Sequence, residues 1–305
     1  KLPQPLIAGF ALGQQFRLLG QAGEPIKITG HDSPSQLRLA KPLPGGTPLD
    51  QAIEIAFDVE APILAARIAT GTPAGQALPP MVMHLATTRA TNALLEEKGA
   101  DVTLFITRGF EDLLVIGNQK RPDLFALNVQ KPTPLTTNVV GIDERLDALG
   151  QVLRPLNLPQ PKPPKNENQS AAVVCLHSHR NPEHEQRLAN HLRDAGWQHV
   201  SVSSDLAPVI KILPRAETTV VDAYLSPIMT RYLEGVEREL ASGKLHVMTS
   251  AGGLVSRADY RAKDSLLSGP AGGVVGAAMA GRQTGFERII GFDMGGTSTD
   301  VCRFD

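Results

Sequence analysis

Residues Ala171 to Leu176, Ala-Ala-Val-Val-Cys-Leu, are apolar without a break. A strand that is apolar on both faces has to be covered on both faces, the condition of a parallel sheet flanked by helices. The next segment of the chain supplies such a cover. Asn181 is placed to cap a helix with Pro182 at its first position and Glu183 and Glu185 in its first turn, and the helix ends near Gly196. The strand-then-helix order recurs along the chain. Met81–Leu85 reads as a strand, and the next helix is capped by a threonine, runs to Lys98 and is closed by Gly99. Val102–Thr107, His199–Val202, Leu245–Met248 and Arg288–Phe292 read as further strands. Gly109 to Gly117 holds a short helix. Arg215–Ala241 is a long helical region whose Val220, Ala223, Tyr224, Met229, Tyr232, Leu233 and Val236 make one apolar face, and Leu266–Gly281 is a helix of small residues. This alternation predicts an α/β fold built on a parallel sheet.

The first fifty residues carry short strand-like runs, Leu6–Leu12 and Gln36–Leu39, and residues 51–68 pattern as a helix that Pro62 kinks or splits. The stretch from Pro159 to Ser170 is rich in Pro and Asn and reads as a linker between a domain over 1–158 and another over 171–305. Two domains suit a chain of 305 residues.

The chemistry concentrates at the end of the chain. Ile289 and Ile290 lead to Asp293, Gly295 and Gly296 permit a tight reversal, and Thr297, Ser298, Thr299 and Asp300 come next. A carboxylate, a glycine turn and clustered N–H and O–H donors suit a magnesium-bound phosphate. Asp293 and Asp300 are the candidate catalytic and metal-holding residues, with Gly295, Gly296, Thr297 and Thr299 as phosphate donors. Ser268, Gly269, Gly272 and Gly273 open a helix with glycines that allow a nucleotide to approach the backbone, whereas Gly276, Ala277 and Ala278 suit close packing. Thr87, Thr88 and Asn92 stand at a strand-to-helix junction, where they either contact a phosphate or lactam carbonyl or simply cap the helix. Ser250, Gly252 and Gly253 form a less specific polar strand end. Arg108, Arg121 and Asp123 are either carboxylate-binding loop residues or solvated charges. Arg215, Glu217, Thr218 and Thr219 open the long helical region, where Glu217 and Thr218 read as caps. His177, His179, His184 and His191 fall within fifteen residues, but their spacing matches no zinc motif, so surface and capping roles are expected. Neither a G-x-x-x-x-G-K-[S/T] loop nor a G-x-G-x-x-G fingerprint occurs.

The charge balance, 30 basic against 31 acidic residues, gives no electrostatic case for nucleic acid or an anionic membrane. No apolar run approaches a membrane span and no signal peptide is visible. Cys175 and Cys302 read as thiols of a reducing, cytoplasmic compartment. The chain starts without Met and stops directly after the hairpin, so it is expected to be a piece of a longer protein.

Eight motifs in order, spanning residues 84–301, resemble the hydantoinase A and 5-oxoprolinase family. They are H-L-A-T-T-R-A-T-N-A-L-L-E-E-K-G-A, T-R-G-F-E-D-L-L-V-I-G-N-Q-K-R-P-D-L-F, D-E-R-L-D, L-H-S-H-R-N-P-E-H-E, E-T-T-V-V-D-A-Y-L-S-P, T-S-A-G-G-L, L-S-G-P-A-G-G-V-V-G-A and G-F-D-M-G-G-T-S-T-D-V. The resemblance implies a ribonuclease-H-like fold shared with actin, sugar kinases and chaperone ATPases, preceded by an additional α/β domain. It implies ATP and Mg2+ as cofactors and a small cyclic amide as substrate. The leading reaction is 5-oxoproline to glutamate, a step of glutathione metabolism, with N-methylhydantoinase or acetone-carboxylase-type chemistry as alternatives. A hydantoinase B-type domain or subunit is the implied partner, with a homo-oligomer possible. From another class, a non-catalytic actin-like nucleotide switch or a sugar kinase would use the same hairpin. Two departures stand out: the family's earlier G-G-T-F-T-D hairpin and the remainder of its ATPase core are lacking here. Ala86 and Arg89 also replace the Gly and Val of the family's G-T-T-V-A-T-N. The chain alone is therefore expected to fold without catalysing.

Overall fold

The structure, a computed structural model, describes residues 9–20, 23–33, 35–48, 51–120, 125, 127–128, 131–160, 162–294 and 299–305. The backbone gathers into two compact units, Lys1–Leu85 with Tyr232–His246 and Ala86–Arg231 with Val247–Asp305.

In the first unit, β1 (Gln15–Leu18), β2 (Ile26–Ser33), β3 (Gln36–Leu39) and β4 (Ile53–Ala56) form an antiparallel sheet in the order β3-β2-β1-β4. Phe16, Ile28 and Ala11 are its buried core, and Leu18, Leu37, Leu39, Ile53 and Ile55 pack against them. The helix expected over 51–68 is two elements: a strand at 53–56, then α1 (Ala61–Thr70). Ile53 and Ile55 satisfy a period of two as well as a helical one, and pairing with β1 decides between them. Pro62 lies in the first turn of α1, where its missing N–H is no loss. The run Leu6–Leu12 lies partly outside the described residues. Its described part is a turn rather than a strand, with Gly9 and Gly13 at φ +75 and +83. Strand β5 (Val82–Leu85) completes the N-terminal part of this unit.

The second unit opens with α2 (Arg89–Leu95), β6 (Asp101–Thr107), α3 (Leu113–Ile116), β7 (Thr136–Ile142), β8 (Arg145–Leu146) and β9 (Val152–Arg154). It continues with β10 (Gln169–Val174), α4 (Glu183–Asp194), β11 (His199–Val202), α5 (Ser203–Leu206) and the 29-residue α6 (Ile212–Leu240), whose residues from Tyr232 on belong to the first unit. The order β11-β10-β6-β7, parallel throughout, is the sheet the apolar run at 171–176 requires. Five of the six β10 residues are buried, and Phe105, Ile142, Leu188, Leu192 and Trp197 pack with Ala171 and Val173. The stretch read as a linker, 159–170, falls inside this unit, where His191 Nε2 lies 2.9 Å from Pro159 O and Trp197 Nε1 donates to Lys162 O at 3.2 Å.

Helix α2 stops at Leu95, short of Lys98, because Glu97 turns left-handed at φ +55 and Lys98 N bonds back to Ala93 O at 2.8 Å. Gly99 is therefore no cap. Its missing side chain makes room for Tyr224 on α6, whose ring atoms would lie 2.0 Å from an added Cβ. Strand β12 (Lys244–Met248) begins beside β5, Lys244 N donating to Met81 O at 2.9 Å. A reversal closed by Thr249 N to Gly253 O, 2.8 Å, leads to β13 (Leu254–Ser256) and a short 3-10 turn at Ala262–Ser265. Helix α7 (Ser268–Gln283) and the hairpin β14 (Ile289–Met294) and β15 (Thr299–Phe304) end the chain.

Replacing Gly99 by Ala forces a methyl group into the Tyr224 ring, so Gly99→Ala should destabilise the protein by about 1–3 kcal/mol. Chemical denaturation reads this directly, and an unchanged midpoint would mean that the two groups do not pack as described.

Candidate functional site

Two of the sequence-predicted motifs meet in the second unit. The backbone at Ala86 to Thr88 lies against the first turns of α7. Ser268 Oγ donates to Thr87 O at 2.9 Å, and Thr91 Oγ1 donates to Leu266 O. A Cβ added to Gly269 would fall 2.5 Å from Thr88 Cγ2, and one added to Gly272 would fall 2.4 Å from the Ala86 methyl. Those two glycines let two chain segments touch, while Gly273 and Gly276 have nothing within 4 Å of an added Cβ. Thr88 stands at the N-cap position of α2 without a side-chain cap bond, and Asn92 N bonds to Thr88 O at 2.8 Å. Ser250 braces the same corner: its hydroxyl donates to Asp264 O at 2.7 Å and accepts Leu267 N at 3.0 Å.

The hairpin packs one face on α7. An added Cβ at Gly281 would meet Ile289 Cγ2 at 2.7 Å, and one at Gly291 would meet the Ala277 methyl at 3.3 Å. Continuing that progression, the next helix position toward the N-terminus is Gly273 and the next β14 position on the same face is Asp293. Asp293 stands directly opposite Asp300 in the antiparallel register, and Met294 opposite Thr299. Like charges in directly opposed positions repel, so the pair costs stability unless a cation lies near it. Hard carboxylate oxygens of this number suit Mg2+, which takes one or two carboxylates and fills its shell with water or phosphate. Gly295, Gly296, Thr297 and Ser298 lie outside the described residues, as do Arg121 and Asp123.

A third constellation escapes sequence reasoning. It lies at the carboxyl ends of the parallel strands, where open α/β sheets receive ligands. Here the crevice is filled by the protein's own polar side chains. Glu185 of α4 accepts Cys175 N at 2.7 Å, Ser203 Oγ at 2.5 Å and Ser204 N at 2.8 Å. Arg215 of α6 lies 3.6 Å from Glu185, both side chains having no exposure. The same guanidinium donates to Cys175 O and Ser203 Oγ, each at 2.8 Å, and to Ser178 Oγ. Beside it, Glu144 accepts Thr107 Oγ1 and lies 2.7 Å from His184 Nδ1, and Thr107 Oγ1 in turn accepts Leu176 N at 2.8 Å.

This network pins the segment from Cys175 to His179, including His177 in the left-handed region at φ +62. Arg215, read from sequence as the start of a helix, is thus a buried anchor. The usable signal was two charged residues on the core faces of α4 and α6, which helical spacing places among apolar neighbours. Burial and the negative charges of Glu185 and Glu144 push the Cys175 thiol well above its ordinary value. His179 moves the other way: burial, then the cations Arg215, Arg180 and His177, lower it from 6.5.

The unit also holds a cavity of about 320 Å³ between the α3 segment and α6, with Asn118, Lys120, Lys131 and Glu217 among apolar walls from Leu114 and Val220. Lys131 Nζ donates to Ile116 O at 2.7 Å, closing the end of α3.

Residues 67–196 match the hydantoinase/oxoprolinase N-terminal region, and residues 215–305 match hydantoinase/oxoprolinase itself, together more than half of the chain. The chain belongs to the hydantoinase/oxoprolinase family. It is 41% identical over 253 residues to 5-oxoprolinase 1 of Arabidopsis thaliana, a match covering 73% of this chain and 20% of that protein. Among solved structures it resembles an ATP-dependent caprolactamase from Pseudomonas jessenii, with a TM-score of 0.58, 28% identity, and cover of 92% of this chain and 42% of that one. It also resembles nucleotide-free acetone carboxylase, with a TM-score of 0.56, 25% identity, and cover of 73% and 35%. The chain spans about one fifth of the length of the 5-oxoprolinases it matches. The caprolactamase and the acetone carboxylase are both named as ATP-dependent. Among the described residues, no helix is long and apolar enough to cross a membrane.

Removing one member of the buried pair leaves an uncompensated charge, so Glu185→Ala should cost about 3–5 kcal/mol in a denaturation experiment. The lowered His179 gives a separate signature. Above about pH 6.5, the usual histidine value, both folded and unfolded forms are neutral and the stability is fully present. As pH falls through that value the unfolded chain takes up the proton first, so stability drops, levelling off once pH passes below the folded-state value. His179→Gln should flatten that part of the pH–stability curve; a drop of equal size in the variant would assign it elsewhere.

Proposed function

We propose that the full-length protein opens a small cyclic amide in an ATP-dependent reaction, with 5-oxoproline, giving glutamate, as the substrate. The observation that carries this reading is the opposed Asp293–Asp300 pair on the hairpin face that packs on α7. An amide carbon is a poor electrophile. Transfer of the γ-phosphoryl group of ATP to the amide oxygen would release ADP and activate the carbon. Water then adds to that carbon, the ring C–N bond opens with the proton going to nitrogen, and a second water displaces inorganic phosphate from the resulting acyl phosphate to leave the carboxylate. Work of this kind is done by orientation and by charge neutralisation at the phosphates.

In this reading Asp293 and Asp300 hold Mg2+ or its water shell, and the ion supplies charge neutralisation at the phosphates. Gly295, Gly296, Thr297 and Thr299 donate to phosphate. Gly273, with open space beside it, admits a nucleotide to the first turns of α7, where free N–H groups and the helix dipole favour an anion. Ser268, Gly269 and Gly272 keep that end of the helix against Thr87 and Thr88. Asn92, in the helix those threonines precede, is the further contact for phosphate or lactam. The polar-rimmed cavity bounded by Asn118, Lys120 and Glu217 suits a small ring with a carboxylate. The fold is read as ribonuclease-H-like, the location as cytoplasmic and the partner as a hydantoinase B-type domain or subunit.

Asp293→Asn in the full-length protein should reduce 5-oxoproline-dependent ATP hydrolysis by about 10²-fold or more, the scale seen when one transition-state electrostatic contact is lost, and should leave the melting temperature unchanged or raised. Retained turnover would take Asp293 out of the chemistry. Assays across 5-oxoproline, hydantoins and acetone discriminate the alternatives, because a nucleotide switch would hydrolyse ATP without any of them and a sugar kinase would leave phosphate on its product.

A further inference from the structure

The first unit contains a cavity of about 400 Å³. At its wall lies Arg67 of α1, only 4% exposed. Its Nη1 donates to Pro73 O at 2.9 Å and Gln76 O at 2.8 Å, and its Nη2 to Glu239 Oε2 at 2.8 Å, but the buried Nε has no partner among the described residues. Nε and Nη2 point from the same edge of the guanidinium fork, the edge that grips a carboxylate with two bonds, and only one of those bonds is made. A buried N–H left unmet costs about 1–3 kcal/mol, so an acceptor reaching it from the cavity is favoured. Arg238 and Asp58 line the same space, both exposed, and neither has a hydrogen-bond or ion-pair partner among the described residues. Phe57 contributes an apolar wall.

We propose that this cavity binds a zwitterionic amino acid. A simple anion would satisfy Arg67 Nε and Arg238 but would bring its charge to Asp58 as well. A simple cation would pair with Asp58 and leave the buried Nε unmet. A molecule with a carboxylate and an ammonium group separated by a short hydrocarbon stem meets all three, its stem against Phe57. The choice of class rests in one respect on the reading of the protein as a cyclic amidase. Opening any cyclic amide breaks the ring C–N bond, places the water oxygen on the carbonyl carbon and the protons on nitrogen, and so leaves a carboxylate and an amine on one molecule. The cavity thus fits the reaction's product class, which makes it a product-sensing site built from residues that share nothing with the hairpin.

Calorimetric titration of the full-length protein with L-glutamate, in the absence of ATP and of any cyclic amide, tests this. Saturable binding is expected, with glutarate, which lacks the amine, and butylamine, which lacks the carboxylates, each about tenfold weaker or worse. Asp58→Asn and Arg238→Gln, both at exposed positions, should each weaken L-glutamate by about tenfold without shifting the melting temperature of the free protein. Glutarate binding as tightly as L-glutamate, unchanged affinity in both variants, or no binding up to about 10 mM would overturn the proposal. No turnover is measured, so failure here leaves cyclic-amide hydrolysis standing, and failure of hydrolysis leaves this binding to be judged by itself.

Discussion

The buried contact between Arg215 and Glu185 holds the second unit together at the point where its elements converge. An ion pair without exposure is expensive to desolvate and repays that cost only when its remaining hydrogen-bonding positions are filled. Here most of them are filled by Cys175, Ser178, Ser203 and Ser204, which belong to the ends of β10 and β11 and the turn after them, and Arg215 Nε is left without a partner among the described residues. The pair therefore ties α4 and α6 to the carboxyl edge of the parallel sheet. Neighbouring groups extend it on both sides, through Thr107, Glu144 and His184 toward β6 and through Ser201 and Asp222 toward the 3-10 turn, where Asp222 Oδ1 accepts Lys263 N at 2.9 Å.

From that turn the chain passes into α7, and α7 is the element on which the phosphate-binding reading depends. The glycines of α7 and of the hairpin that faces it have distinct physical jobs. Gly269 and Gly272 allow backbone from 86–88 to lie against the helix, and Gly281 and Gly291 allow the helix to lie against the hairpin. Gly273 leaves space instead. The opposed carboxylates of Asp293 and Asp300 stand on the same side of the hairpin as Gly291, which meets α7. An arrangement that places two like charges together is unfavourable in isolation, and its chemistry makes sense when a divalent ion and phosphate are the intended neighbours.

The two units use charge differently. In the second, Arg215 and Glu185 meet without exposure at the sheet edge and serve as structure, although Arg215 Nε, like Arg67 Nε in the first, has no partner among the described residues. In the first, Arg67 stands at a cavity wall beside two exposed charges of opposite sign that have no partner among the described residues. The open space, and not the unmet donor alone, sets the first apart.

Much of this was legible in the residues themselves. The apolar run at 171–176 required a parallel sheet, because a strand with no polar face has no other stable setting, and His199–Val202 and Gln36–Leu39 occupy the strands their patterns predict. The order of motifs was enough to place the chain among the hydantoinases and oxoprolinases. Local pattern failed where two periods fit the same residues, as at Ile53 and Ile55, which sheet pairing and not propensity settles. It failed at Gly99, because a cap and a packing contact both require glycine and only the position of Tyr224 distinguishes them. It was silent on Arg67 and Arg215, since burial of a charge depends on partners 172 residues away for Arg67 and 37 residues away for Ser178. The sequence determined most of the strands and helices of the parallel sheet and the family to which the chain belongs. Only the tertiary structure decided which charges meet a partner in the interior and which are left open, because that depends on long-range packing that no local period encodes.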